Sequence, residues 1–165
     1  MREVNAPHPF DKDPKESTVF LSGSTGSENW RAELLEMLKK NNPDALFLNP
    51  YRQDYPKMVK DLKDQFAWES DALVKSDIVI YYFDDSSVAP LTLLEMGLLL
   101  NSNKTIFVGY NPNYSPYFEV SERLKIFRPE VKPVHSLKEL AKNVNAFLYN
   151  NPRYKTYTKL ASRRK

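Results

Sequence analysis

Apolar positions along the chain switch between two rhythms, short continuous runs and spacings of three to four. Residues 18–24 (TVFLSGS) are β-branched and aromatic and are stopped by Gly23 and Gly26, which predicts a strand. Trp30, Leu34 and Leu38 then recur every four residues beside Leu35 and Met37, predicting an amphipathic helix over about 29–40 that ends at Asn41, Asn42 and Pro43. ALFLNP (45–50) is a second short strand, closed at Asn49-Pro50 because a residue before proline avoids helical dihedrals. Past the loop YRQDYP, the positions Met58, Leu62, Phe66 and Leu73 predict a helix over about 57–75. DIVIYYFD (77–84) is apolar without alternation, as in a central strand buried on both faces of a parallel sheet. Pro90 pre-sets the first turn of a helix over 90–102, and TIFVGY (105–110) is a fourth strand. A short helix over 116–127 follows, then a fifth, edge strand over 131–135. The last helix opens on the capping box Ser136/Glu139, carries the stripe Leu137, Leu140, Ala141, Val144, Phe147 and Leu148, and ends near Asn150.

Strands alternating with helices of this length predict an α/β fold, a flavodoxin-like doubly wound sheet of about five parallel strands. The chain of 165 residues suits one domain, here 18–150, between an N-terminal extension (1–17) and a basic C-terminal tail (151–165). Ligands of such sheets bind outside the carboxyl ends of the strands, where strand order reverses, so the loops SGSTGSENW, NPYRQDYP and FDDSSVAP are the places for a site.

Composition narrows the chemistry. There is no cysteine, and the two histidines, His8 and His135, have no zinc-ligand spacing, so neither a metal nor another cofactor is expected. Residues 1–17 hold no apolar run of signal-peptide type and no stretch approaches a membrane span, so no membrane partner is expected and the default location is the cytoplasm. The formal charge of +3 belongs to the tail: Arg153, Lys155, Lys159, Arg163, Arg164 and Lys165 carry six positive charges, and without them residues 1–150 stand at −3. Nucleic acid is therefore not an expected partner of the domain.

Acids stand where solvated side chains do not belong. The helix PLTLLEMGLLLNS is apolar nearly all round, which predicts burial over most of its surface, and Glu95 is its only charged residue. Leu62, Phe66, Glu69 and Leu73 are spaced by four, three and four, placing Glu69 on an apolar face. Asp84 and Asp85 end the central strand. A buried acid beside a cleft suggests catalysis, against the plainer reading of a paired structural acid or, for the two aspartates, a turn. Gly23, Ser24, Asn29 and Trp30 in the first loop, Asn49, Arg52 and Asp54 in the second, and Tyr82 in the central strand complete the candidate substrate-binding set. The first loop lacks the Gly-Lys-Ser/Thr ending of a triphosphate loop and does not match the dinucleotide fingerprint.

VFLSGSTGSENW, NPYRQDY, the QFAWE segment and above all SDIVIYYFDDSSVAPLTLLEMG resemble the nucleoside 2-deoxyribosyltransferase-like proteins over about residues 18–110. The resemblance implies a flavodoxin-like fold, often oligomeric, that moves 2-deoxyribose between nucleobases in salvage, taking deoxynucleosides and free bases as substrates. It implies that Glu95, in the Glu-Met-Gly motif, is the nucleophile. Glu69, eight residues before Asp77, stands where classical members carry an aspartate, and Asp84 or Asp85, with Asp85 preferred, would handle the base. A first-strand tyrosine of many members is Phe20 here. The alternatives are a nucleoside or 5′-nucleotide N-glycosidase, with Arg31 and Arg52 as candidate phosphate contacts, and a non-catalytic nucleotide-binding module. Selectivity for 2-deoxyribose over ribose is expected from the resemblance and from leucines crowding Glu95.

Overall fold

The computed structural model describes residues 1–25, 29–52 and 59–151, the side chains of 59–61 excepted. Strands β1 (Arg2–Asn5), β2 (Ser17–Gly23), β3 (Ala45–Asn49), β4 (Ile78–Phe83) and β5 (Thr105–Tyr110) form one parallel sheet in the order β1-β3-β2-β4-β5. Helices α1 (Trp30–Lys39), α2 (Val59–Lys75), α3 (Pro90–Leu99), α4 (Tyr117–Phe127) and α5 (Leu137–Asn150) cover its two faces. This is an α/β doubly wound fold.

Side chains alternate across each strand, so two cores form. Phe20, Leu48, Tyr81, Phe83 and Val108 meet Trp68 and Ala72 of α2, Met96 of α3 and Leu124 of α4. On the other face Leu21, Phe47, Ile80 and Tyr82 meet Leu34 and Leu38 of α1 and Val144 of α5. Strand β2 is flanked by β3 on one side and β4 on the other, and the chain changes direction across the sheet there. The crevice that opens between their carboxyl ends is the binding position that strand order dictates. The N-termini of α1 and α5 are capped locally: Asn29 accepts from the Ala32 amide, and Ser136 Oγ accepts from the Glu139 amide at 3.2 Å. The Glu139 carboxylate accepts from Ser136 Oγ and, at 3.4 Å, from the His135 amide, one residue off from the Ser136 amide of a full capping box. No described helix is long and apolar enough to cross a membrane.

The fifth strand is not where periodicity placed it. Residues 131–135 make a single bridge, Val134 to Gly109, because Pro133 has no amide to extend a ladder. The fifth strand is Arg2–Asn5, at the opposite edge, registered Arg2 to Leu46 and Asn5 to Asn49. A half-exposed edge strand is held by backbone hydrogen bonds, and REVN has no hydrophobic run to betray it. The rest of this extension crosses α2, where the Trp68 indole donates to the His8 carbonyl at 2.7 Å and Phe10 meets Trp68 edge-on.

Two helices are turned differently from their patterns. In α2 the buried positions are Gln65, Trp68, Ala72 and Leu73, while Phe66 is exposed. The expected stripe thus fails at Phe66, and Met58 lies outside the described residues. In α3 only one side is covered. Thr92 and Met96 are buried there, but Leu91, Leu94 and Leu98 are 55%, 63% and 68% exposed, contrary to the expectation of burial over most of its surface.

Candidate active site

The site begins with the exit of β2. Gly23 is packed so closely on β4 that Ser24 N donates to the Tyr82 carbonyl at 3.0 Å, and Ser24 Oγ accepts from the Asp84 amide at 3.1 Å. The Trp30 indole donates to the Ser24 carbonyl at 2.9 Å. Arg31, 2% exposed, spends its fork on the same turn, donating to the carbonyls of Leu21 (3.1 Å), Ser24 (3.0 Å) and Gly23 (3.0 Å). These bonds fix the backbone of residues 21–24, at the exit of β2. They also leave a buried cation without an ion-pair partner among the described residues. Burial lowers the Arg31 pKa to about 10, and the charges of Glu69, Asp84 and Glu95 work against that shift.

Alternation along β2 puts Phe20 and Ser22 on the face opposite Leu21, toward α2 and α3. Ser22 Oγ donates to Glu95 Oε2 at 2.6 Å, a charge-assisted length. Ser22 therefore supplies a hydroxyl contact to Glu95 although Phe20 occupies the expected tyrosine position. Glu95 is delivered by the turn into α3, where Ala89 adopts a left-handed conformation (φ 50°) before Pro90. An alanine there carries a strain of about 1 kcal/mol, placed beside the pocket.

Glu69 comes from α2 and accepts from Gln65 Nε2 at 2.7 Å; the same amide donates to the Pro50 carbonyl at 3.0 Å. One fully buried glutamine thus ties the acid to the loop after β3. Glu69 and Glu95 line one cavity of about 510 Å³, together with Phe20, Ser22, Tyr51, Arg52 and Thr92. That volume suits a small-molecule ligand. Burial raises the pKa of both acids; Gln65 and Arg31 temper this for Glu69, and Ser22 and Arg31 for Glu95. The two carboxylates also repel one another, which raises Glu69 further, so the pair favours carrying one proton and a single negative charge.

The other sequence candidates divide. Gly23 and Arg52 line the cavity. Asn49 and Asn29 line a second hollow of about 490 Å³, which also shares Arg52 and Tyr51, and Asn49 donates to Glu3 at 2.8 Å. Trp30 and Tyr82 pack together at 5.3 Å in the core of the opposite face, an arrangement for packing rather than base stacking. Asp84 is buried beside the Ser24 turn, with Oδ1 accepting from the Ser86 amide at 2.9 Å and Oδ2 without a partner. Asp85 is exposed and does not line the cavity. Asp54 lies outside the described residues. Sequence reasoning missed Ser22, Gln65 and Thr92. Only Ser22 carried a signal, its strand register with Phe20.

At the cleft where strand order reverses, two of the three acids expected in one pocket, Glu69 and Glu95, meet from the helices before and after the central strand, whereas Asp84 and Asp85 do not line it. No curated protein matches the chain. The family model described as nucleoside 2-deoxyribosyltransferase like matches residues 16–114, spanning β2 to the turn after β5 and both acids. The chain therefore belongs to the nucleoside 2-deoxyribosyltransferase-like family.

Proposed function

We propose that the protein transfers 2-deoxyribose between nucleobases through a covalent sugar ester on Glu95. The observation that carries this reading is the pairing of Glu69 and Glu95 in one cavity, where burial raises the pKa of both and favours a shared proton. Glu95 Oε1 attacks C1′ while Ser22 holds Oε2. The C1′–N bond breaks, its electron pair goes to the base nitrogen, and that nitrogen takes the proton of Glu69. A second base then attacks C1′ with a ring-nitrogen lone pair, returns its proton to Glu69, and releases the C–O pair to Glu95. The two acids together carry one negative charge at every stage, which the buried charge of Arg31 favours. Arg52 and Tyr51 stand at the cavity wall where the base or the sugar rim would lie.

Incubation with a deoxynucleoside and a different free base tests this directly. A new deoxynucleoside supports transfer. Free deoxyribose as the sole sugar product means hydrolysis, and no turnover means a binding module. The resemblance still motivates selectivity for 2-deoxyribose, but leucine crowding no longer does, because Leu94 and Leu98 face outward. Equal turnover of adenosine and deoxyadenosine would remove that selectivity.

The pair also predicts a pH signature. Activity requires Glu69 protonated and Glu95 ionised, so the rate should form a bell whose alkaline limb belongs to Glu69. Glu69→Gln should reduce transfer by about 10²–10⁴-fold, the usual contribution of a positioned acid. Both carboxyls titrate above their unfolded values, so the stability they lend is complete below the ordinary carboxylate range and is lost as pH rises through their folded values. Thermal unfolding of Glu69→Gln should accordingly lose less stability than the wild type between acid and neutral pH. A parallel pair of curves would deny the raised pKa of Glu69.

The reading includes a homo-oligomer. Leu91, Leu94 and Leu98 form an uncharged outward face of α3, and at Gly97 an added Cβ would meet nothing within 4 Å, which leaves room for a second helix to approach closely. Leu91 belongs to both this face and the cavity wall. A second copy is the occupant with matching apolar character and the same helix to offer. Sedimentation of the wild type should show more than one chain, and Leu94→Asp should release monomers. A monomeric wild type at micromolar concentration would end this part of the reading.

A further inference from the structure

The phenol of Tyr81 has no part in the scheme above. Tyr81 is fully buried in β4, and its hydroxyl oxygen has no hydrogen-bond partner among the described residues. An unpaired buried hydroxyl destabilises a fold, whereas phenylalanine fills the same space without that cost. Phenylalanine is what the chain uses next to it: Phe83 stacks on Tyr81 at 6.5 Å with the rings 11° apart, and Phe20 lies two positions before Ser22 on the neighbouring strand.

The surroundings identify what the hydroxyl serves. Strand register pairs Ser22 with Tyr81, placing their Cα atoms about 4.8 Å apart with both side chains on the α3 face. Ser22 already donates to Glu95 Oε2. Glu95 is also the charged group whose field reaches Tyr81, and burial together with that charge keeps the phenol protonated well beyond its usual range. Tyr81 is therefore a donor at any working pH, in register with the serine that holds Glu95 Oε2, while Glu95 Oε1 has no hydrogen-bond partner among the described residues.

Resting on the proposed role of Glu95, we propose that Tyr81 is a positioning residue whose phenol is a second hydroxyl donor to the Glu95 carboxylate, engaged whenever that group carries its full negative charge. Two moments meet this condition. Before attack, the bond orients the nucleophile. When the acceptor nitrogen forms its bond to C1′ and the C–O electron pair returns to Glu95, the same bond stabilises the departing carboxylate. The groups that face Glu95 are Ser22 from β2, Arg31 from α1, Glu69 from α2 and Tyr81 from β4. Ser22 and Arg31 already favour the ionised form, and Tyr81 adds to them.

The test is Tyr81→Phe in the full chain, with two readouts. The Glu95 carboxyl carbon is followed by NMR in protein labelled at glutamate, its signal assigned by its loss in Glu95→Gln. In Tyr81→Phe it should titrate at higher pH than in the wild type. After addition of acceptor base, the sugar adduct on the Glu95 peptide should persist about tenfold longer, the rate equivalent of about 1.4 kcal/mol and the low end for a hydrogen bond to a charged group. The melting temperature should stay level or rise, because an unpaired hydroxyl has gone. A lower melting temperature with an unchanged Glu95 titration would make the hydroxyl structural and overturn the proposal, as would an unchanged titration alone. A wild type that forms no adduct would overturn the glycosyl-transfer reading instead, and the NMR titration would still decide whether Tyr81 serves Glu95.

Discussion

Glu95→Gln should abolish transfer while leaving the protein folded. The amide keeps the length and shape of the side chain, and its carbonyl can still accept from Ser22 Oγ, which now approaches Oε2 at 2.6 Å. It removes a negative charge that burial disfavours, so the melting temperature at neutral pH should be unchanged or higher. The amide oxygen is a poor nucleophile and cannot neutralise the oxocarbenium-like state at C1′. A loss of about 10³-fold or more corresponds to about 4 kcal/mol or more on the barrier. Mass spectrometry of the wild type after brief exposure to a deoxynucleoside should find a deoxyribosyl adduct on the Glu95 peptide, and the variant should show none. Glu95→Ala admits water and can recover some hydrolysis, but no adduct. Near-normal turnover by Glu95→Gln would return Glu95 to the role of a buried, paired acid and move the nucleophile elsewhere.

Gly23→Ala should have the largest effect on stability. A Cβ at Gly23 would lie 2.2 Å from the Tyr82 carbonyl oxygen and 2.6 Å from Trp30 Cζ2. Neither obstacle can move cheaply. The Tyr82 carbonyl accepts from Ser24 N, and the Trp30 ring is buried with its indole committed to the Ser24 carbonyl. Relief requires β2 and β4 to separate at their carboxyl ends, which breaks the Arg31 fork and shifts Ser22 away from Glu95. A cost of about 3–5 kcal/mol is at the severe end for one substitution. It corresponds to a fall of roughly 10 °C in melting temperature for a domain of this size. Activity should fall in parallel even at temperatures where the variant remains folded. An unchanged melting temperature would show that the strands part easily at this point and that the site is not held by the Gly23 contact.

The family reading and the location of Glu95 were legible for related reasons. A short continuous apolar run such as IVIYYF, rich in β-branched and aromatic residues, reads as a buried strand. The motif around Glu95 carried the resemblance, although the all-round apolarity of α3 did not mean burial on every side. Glu69 was placed correctly on the inward side of α2, although the helix is not turned as the stripe suggested. Gln65 takes the buried position and Phe66 the exposed one, because the amide is needed to join Glu69 to Pro50. No spacing rule reveals a glutamine that is buried for the sake of its hydrogen bonds.

What the sequence determined by itself was the succession of elements from residue 18 to 150 apart from the strand expected over 131–135, the parallel α/β class, and the strand ends as the place for a site. These follow from periodicity and from local stop and cap signals, which act over a few residues. What the tertiary structure decided was which side chains meet across long separations. It put Arg2–Asn5 at the sheet edge through backbone pairing that needs no hydrophobic code. It turned Trp30 and Tyr82 into the opposite core, left Asp85 outside the cavity, and brought Ser22 to Glu95, 73 positions away. It also exposed the leucines of α3, because Thr92 and Met96 take the side of the helix that packs inward. The reason is the same in each case: local pattern fixes which face of an element is apolar, but only register and packing between elements fix what that face touches.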